Sequence, residues 1–261
     1  MSRICPLFSS SSGNSTYIAT KQGGIIVDAG ASFKALEAAL KRAGGSMDEI
    51  AAVCVTHEHI DHVKGLKTLL KNTSACLIAS NKTLEALAEK DLIPANVKVI
   101  EGGESTVICD TEIHRFATSH DCVGSSGYTF ILPDGRKAAV CTDLGFVSDE
   151  VRNSITGCDF VLLESNHDIE MLKKGPYPPQ LKMRILSDIG HLSNNACAAE
   201  LARLLKSGTT RFVLGHLSKK NNLPLLAKSV AEAALIDLGA QNGVDYILNV
   251  AQPENNGVTV L

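Results

Sequence analysis

Residues 16–28, TYIATKQGGIIVD, alternate and then run apolar around a Gly-Gly pair, a pattern that predicts a hairpin whose second strand ends at Asp28. SFKALEAALKRAGG follows with helical spacing, Ser32 standing as its N-cap and Gly44-Gly45 as its stop. IAAVCV then predicts a buried strand, residues 61–72 a helix, ACLIAS a strand and residues 81–90 a helix. Between residues 97 and 147 the pattern changes to consecutive strands joined by turns, one of them at Pro133-Asp134-Gly135. Strand and helix alternate again with CDFVLLES, a helix over 194–206, RFVLGH, a helix over 225–238, and strands near 245–250 and 257–261. Two strand-rich regions with helices between and after them predict two sheets packed face to face with helices outside, a four-layer αββα sandwich of the α/β class. The similar rhythm of the halves points to a pseudo-repeat. No Pro-, Ser- or charge-rich linker separates them, so residues 1–261 are expected to form a single domain with a shared core.

Composition narrows the class. The 261 residues, 44% of them apolar, are enough for a sizeable core, and a net charge of −3 excludes a global basic field, leaving only a local one for an anionic partner. Eight cysteines are dispersed without a C-x-x-C pair, most of them inside apolar runs, as expected for small core residues in a reducing cytoplasm. No signal-peptide pattern opens the chain, and no apolar run approaches the roughly 20 residues that span a bilayer, so no membrane partner is expected. Nothing in the sequence speaks to oligomeric state.

Candidate chemistry concentrates in THEHIDH, where three histidines and an aspartate occupy residues 57–62 directly after an apolar run. Neutral imidazoles and carboxylates are ligands for zinc, manganese and iron, and an ion needs at least three of them converging. His57 and His59, two apart in an extended segment, point the same way and can clasp one ion. Asp61 and His62, at the start of the next helix, can face a second ion. Further ligands are expected wherever a histidine or aspartate closes a strand: His120 in FATSHD, Asp143 in AVCTD and His216 in RFVLGH, with Asp143 able to bridge. His191 precedes a helix, which favours acid–base duty or support of a ligand over direct ligation. Asp28 reads either as a helix-start cap or as a carboxylate orienting a ligand imidazole. His167 in LLESNHD reads as a site-edge residue that touches substrate or as part of a helix-start loop.

These residues carry a resemblance. VDAG (27–30), THEHIDHVKG (56–65), SHD (119–121), TDLG (142–145) and GHLS (215–218) occur in the order found in metallo-β-lactamase-fold hydrolases, which this chain resembles over residues 27–218. SSSSGNSTYI near the start, residues 164–185, GHLSNNA (190–196) and LGHLSKKNNLP (214–224) make it most similar to the YycJ/WalJ-type subfamily. The resemblance implies that His57, His59 and His120 hold one metal, Asp61, His62 and His216 the other, and that Asp143 bridges. GHLSNNACAAELA is also similar to the helix-start motif of ribonuclease Z, which implies that His191 is the general acid.

Two cations sharing a water lower its pKa to about 7, providing a nucleophile without a serine or cysteine. Asp61 and His191 are therefore the catalytic candidates, and the cofactor is expected to be two divalent ions, zinc or manganese, with iron also compatible. The subfamily resemblance implies a phosphodiesterase acting on nucleic acid, DNA ahead of RNA, as a 5′ to 3′ exonuclease. Lys219, and Ser11, Ser12 and Asn14 of the serine loop, are candidates for binding substrate phosphate. Lys173, Lys174, Lys182 and Arg184 extend a local basic rim. The alternatives are a small-molecule hydrolase of a cyclic phosphodiester, lactone or thioester, and a binding protein with a vestigial metal site. The intact H-x-H-x-D-H speaks against the last.

Overall fold

The computed structural model describes residues 2–101, 105–254 and 257–260. Each half of the chain builds a sheet by the same routine, which is the expected pseudo-repeat. β1 (Arg3–Ser10), β2 (Gly13–Ala19) and β3 (Gly24–Val27) run antiparallel, after which β4 (Ile50–Cys54), β5 (Cys76–Ala79) and β6 (Val99–Glu101) add on in parallel. The second half repeats the scheme with antiparallel β7 (Thr106–Ile108), β8 (Thr111–Ala117), β9 (Ser126–Ile131) and β10 (Lys137–Cys141), then parallel β11 (Phe160–Glu164), β12 (Arg211–Gly215) and β13 (Ile247–Val250). β14 (Thr259–Val260) returns to the first sheet and pairs antiparallel with β1, so the end of the chain closes the edge at which it began.

Parallel neighbours need crossover connections, and helices supply them. α1 (Phe33–Arg42), α2 (Ile60–Val63), α3 (Leu66–Asn72) and α4 (Asn81–Glu89) serve the first sheet. The second has α5 (Asp149–Ile155), α6 (Ile169–Lys174), α7 (Pro179–Ile185), α8 (Asn194–Lys206) and α9 (Pro224–Ile236). Successive strand residues divide between two cores. Ile26 and Val53 pack outward with Leu36, Leu40 and Leu69 of α1 and α3, whereas Val27 and Ile25 turn inward to a core shared with Tyr128, Phe130 and Phe160 of the second sheet. Val161, Leu163 and Leu214 face outward again onto α5, α8 and α9 through Val151, Leu201 and Leu235. The layers are therefore αββα, as the strand and helix pattern predicts. Truncating Phe130 to alanine in the inter-sheet layer costs about 3–5 kcal/mol.

Local chemistry explains the boundaries. Ser32 caps α1, its hydroxyl accepting from Ala35 N, and Gly44 adopts φ +76° just past the helix end. The helix expected over 61–72 is instead two, α2 and α3, parted at Gly65. There the chain passes the 29–31 segment: Ala29 N donates to His62 O, Gly65 N donates to Ala29 O, and a Cβ on Gly65 would lie 2.2 Å from Ala31 O. α5, α6 and α7 carry no sequence prediction, because six or seven residues are too few for a helical period to declare itself; α5 and α6 are held by the Ser148 and Asp168 caps. All eight cysteines are free thiols, six of them buried. Among the described residues no helix is long and apolar enough to cross a membrane.

Candidate metal centre

The carboxyl ends of β3, β4, β8, β10, β11 and β12 deliver Asp28, His57, His120, Asp143, Glu164 and His216 to one edge of the sandwich. Three of these take up left-handed backbone, Asp28 at φ +62°, Asp143 at +59° and His216 at +54°. Such φ values cost a non-glycine residue about 1–3 kcal/mol and gather where side-chain direction matters more than backbone comfort. Each of the three turns the chain sharply off its strand.

Outside partners aim the imidazoles. His62 Nδ1 lies 2.8 Å from Asp28 Oδ2 and donates to it, which leaves Nε2 facing Asp143 Oδ2 at 3.3 Å. Thr56 gives its hydroxyl proton to Asp28, so its Oγ1, 3.0 Å from His57 Nδ1, accepts there and leaves His57 Nε2 for the site. His120 Nδ1 donates to Gly190 O at 2.9 Å. Glu164 accepts from His216 Nδ1 at 2.7 Å and His191 Nδ1 at 2.8 Å, and also from Leu144 N and Leu192 N. The ring nitrogens left over converge.

His57, His59 and His120 form one cluster and Asp61, His62 and His216 another, each with its donor atoms within 4.8 Å of one another. Asp143 lies between them, Oδ1 at 3.8 Å from His120 Nε2 and Oδ2 at 3.3 Å from His62 Nε2. His191, half-buried, stands beside both, its ring centroid 4.9 Å from that of His120 and 5.2 Å from that of His216.

The arrangement fits divalent cations. Asp143 Oδ2 and His216 Nε2 are buried without a hydrogen-bond partner, atoms that a cation would satisfy and a purely organic core would not. Charge tells the same story. Burial, and then the nearby rings of His62 and His120, hold His57 well below the usual histidine range, so it is a neutral donor. Burial would also lower His62, but Asp143 and Asp28 outweigh it and lift the ring to about 9; His216 is raised well above its ordinary value in the same way, by Asp143, Asp61 and Glu164. The clustered carboxylates thus demand positive charge here. The donors are nitrogen and oxygen with no thiolate, which suits zinc, manganese or iron.

Asp28 accepts from Thr56 and His62 and caps nothing, since Ser32 holds that role, so its place is behind His62. Glu164, which ties together His191, His216 and two backbone amides, was not among the sequence candidates, although it closes the apolar run FVLLE much as Asp28 closes its own. Two of the residues expected at the substrate lie buried. Asn14 is buried, its Nδ2 donating to Ser10 O and lying 3.0 Å from His62 Nε2, so it belongs to the cluster's wall. His167 is 1% exposed, drawn beneath the start of α8 by a bridge to Ser193 and a bond from Asn194 N to its carbonyl, and burial holds its ring at about 4. Ser11 and Ser12 are exposed at the β1–β2 turn, and Lys219 Nζ donates to Ser12 Oγ at 2.9 Å. Much of the expected basic rim is neutralised internally: Lys173 and Lys174 pair with Glu170, and Arg184 with Asp121.

Residues 24–217 match the beta-lactamase superfamily domain. The chain belongs to this family. The matched span holds every clustered residue from Asp28 to His216, and only the serine loop and Lys219 fall outside it. Within the family the chain is 37% identical to exodeoxyribonuclease WalJ of Streptococcus pneumoniae over 254 residues, 95% of this chain and 93% of that one, and it is of the same YycJ/WalJ type. It is 37% identical to exodeoxyribonuclease YycJ of Bacillus anthracis over 250 residues, 95% and 94% of the two chains. In fold it is similar to zinc-bound PqqB of Methylobacterium extorquens, with a TM-score of 0.71, 17% identity and 100% of each chain covered. The metallo-β-lactamase sandwich expected from the sequence is the fold observed.

Proposed function

We propose that this chain, acting as one domain, is a nuclease that hydrolyses phosphodiesters of DNA, working as an exonuclease from the 5′ end with two divalent ions, zinc or manganese. The observation that carries the reading is the pair of ligand clusters flanking Asp143 with His191 beside them. Its substrate class is supported by likeness over nearly the whole chain to two exodeoxyribonucleases. His57, His59 and His120 would hold one ion, Asp61, His62 and His216 the second, and Asp143 would touch both. When bound, such ions supply Lewis acidity at a phosphoryl oxygen and activation of the attacking water.

The chain's own residues then do three things. Asp28 and Thr56 fix His62 and His57 by their Nδ1 atoms, so that Nε2 of each faces inward. Glu164 does the same for His216 and for His191. Burial would lower His191, but Glu164 outweighs it and raises the ring above the usual histidine range, which favours the protonated form that could give its proton to the departing oxygen. The free thiols support action in a reducing cytoplasm.

The test is incubation of the manganese- or zinc-loaded chain with 5′- and 3′-labelled single- and double-stranded DNA, RNA and bis-p-nitrophenyl phosphate. Mononucleotides released progressively from the 5′ end of DNA are expected. Hydrolysis of the small ester with no attack on any polynucleotide would replace the nuclease by a small-molecule esterase.

A further inference from the structure

A second feature adjoins the metal centre on the side of His120. A groove of about 530 Å³ runs from His120 along the loop 120–125 to the start of α4, with Lys82, Arg115 and the hydroxyls of Thr118 and Ser125 among its lining groups. Its volume lies within the roughly 300–1,000 Å³ of ordinary ligand sites. The floor is tied to the catalytic edge: the Gly124 carbonyl accepts from Ser80 Oγ at 2.9 Å and Thr83 Oγ1 at 3.0 Å, which joins the His120 loop to the first turn of α4.

Its chemistry suits an anion. Lys82 is exposed and has no ion-pair partner among the described residues, and Arg115, half-buried, reaches across to Ser126 Oγ at 3.3 Å. Ser80 Oγ takes the Thr83 amide and Leu84 N makes the first intrahelical bond to Ser80 O, so the Asn81 and Lys82 amides precede the helical ladder at the positive end of its dipole. One carboxylate, Glu101, lines the far end. The overall charge of −3 makes two cations gathered beside the metal centre the more informative, since no global field explains them.

We propose that this groove seats a backbone phosphate next to the scissile one, with Lys82, Arg115 and the first-turn amides of α4 as the recognising groups. One strand of nucleic acid then runs from the metal centre past His120 toward α4. This rests on the nuclease reading above. It assigns that reading a track, distinct from the Ser12–Lys219 pair.

Two measurements on the full chain test it: binding of a fluorescein-labelled single-stranded oligonucleotide in chelator across a salt series, and kcat/KM of the manganese-loaded chain on the same oligonucleotide and on bis-p-nitrophenyl phosphate. Lys82→Ala is expected to raise Kd roughly threefold to tenfold and to make the log–log salt slope shallower by about 0.7, the value for one lost phosphate contact on a single strand. Lys82→Glu goes further, and Arg115→Gln acts in the same direction. In each variant the loss on the oligonucleotide exceeds the loss on the small ester, while Lys206→Ala, at the far end of α8, changes neither. Lys82→Glu with wild-type Kd and salt slope, in a chain that still degrades the oligonucleotide, overturns the groove and leaves the nuclease standing. A wild-type chain that hydrolyses the small ester but neither binds nor cuts the oligonucleotide overturns both.

Discussion

The two halves of the chain furnish the same site by different means. The first concentrates its ligands: one segment after β4, running from a loop into α2, carries His57, His59, Asp61 and His62, and Asp28 at the end of neighbouring β3 holds the last of them. The second disperses them: His120, Asp143, His191 and His216 come from four separate loops, and Glu164 at the end of β11 holds two of the rings. Each half therefore repeats one device, a buried carboxylate closing the strand beside the one whose loop bears a histidine. The loads on the two carboxylates differ. Burial pushes Asp28 up despite its bonds from His62 and Thr56, whereas Glu164, equally buried, is drawn well below the usual carboxylate range by His191 and His216. The second half leans on one residue where the first shares its work with Thr56.

That contrast can be broken at several points. The largest effect is expected from removing cations or ligands: chelation, His59→Ala or Asp61→Ala brings hydrolysis to background, with fewer than two ions per chain by metal analysis. Activity retained in either variant refutes the assignment. Next comes His191→Ala, for which kcat falls about 10²- to 10⁴-fold with metal content unchanged. Metal loss in that variant would make His191 a ligand, a role its place among Asp143, Glu164 and His216 also permits.

Smaller, and aimed at the comparison itself, are Asp28→Asn and Glu164→Gln. Each is expected to weaken metal binding roughly 10- to 100-fold. Only Glu164→Gln should also lower kcat at saturating metal, because only Glu164 holds His191. Equal kinetic losses from the two variants would erase the asymmetry. The smallest effect is a pH dependence of the chelated chain. His62, lifted from 6.5 to about 9, contributes stability that is full below pH 6.5 and is lost as pH rises through 9. The urea midpoint of the chelated chain should fall across that window, and less so in Asp28→Asn. A flat profile would mean that His62 is neutral before metal arrives.

Residues were legible in the sequence to the degree that their neighbours along the chain marked them. H-x-H-x-D-H declares itself because its four donors are contiguous. His120, Asp143 and His216 follow because each comes just after a strand, and the carboxyl ends of β8, β10 and β12 meet at one edge. Glu164 satisfies that rule as well as Asp143 does, but a search for histidines and aspartates passes over it. The burial of Asn14, in β2, and of His167, in the loop after β11, was not legible, since a polar residue beside a site looks exposed along the chain until packing buries it.

By itself the sequence determined the alternation of strands and helices, the layer count and the presence of a metal-binding loop, because periodicity and contiguous donors are local properties. The tertiary structure decided which carboxylate stands behind which imidazole, where the long helix after the histidine loop breaks, and that β6 and β7, adjacent along the chain, lie in different sheets. It also brought Lys82 and Arg115 to one groove beside His120. These depend on sheet register and on the path of long connections. No residue spacing encodes them, because the energy that selects one register is spread over three apolar cores rather than over any single stretch.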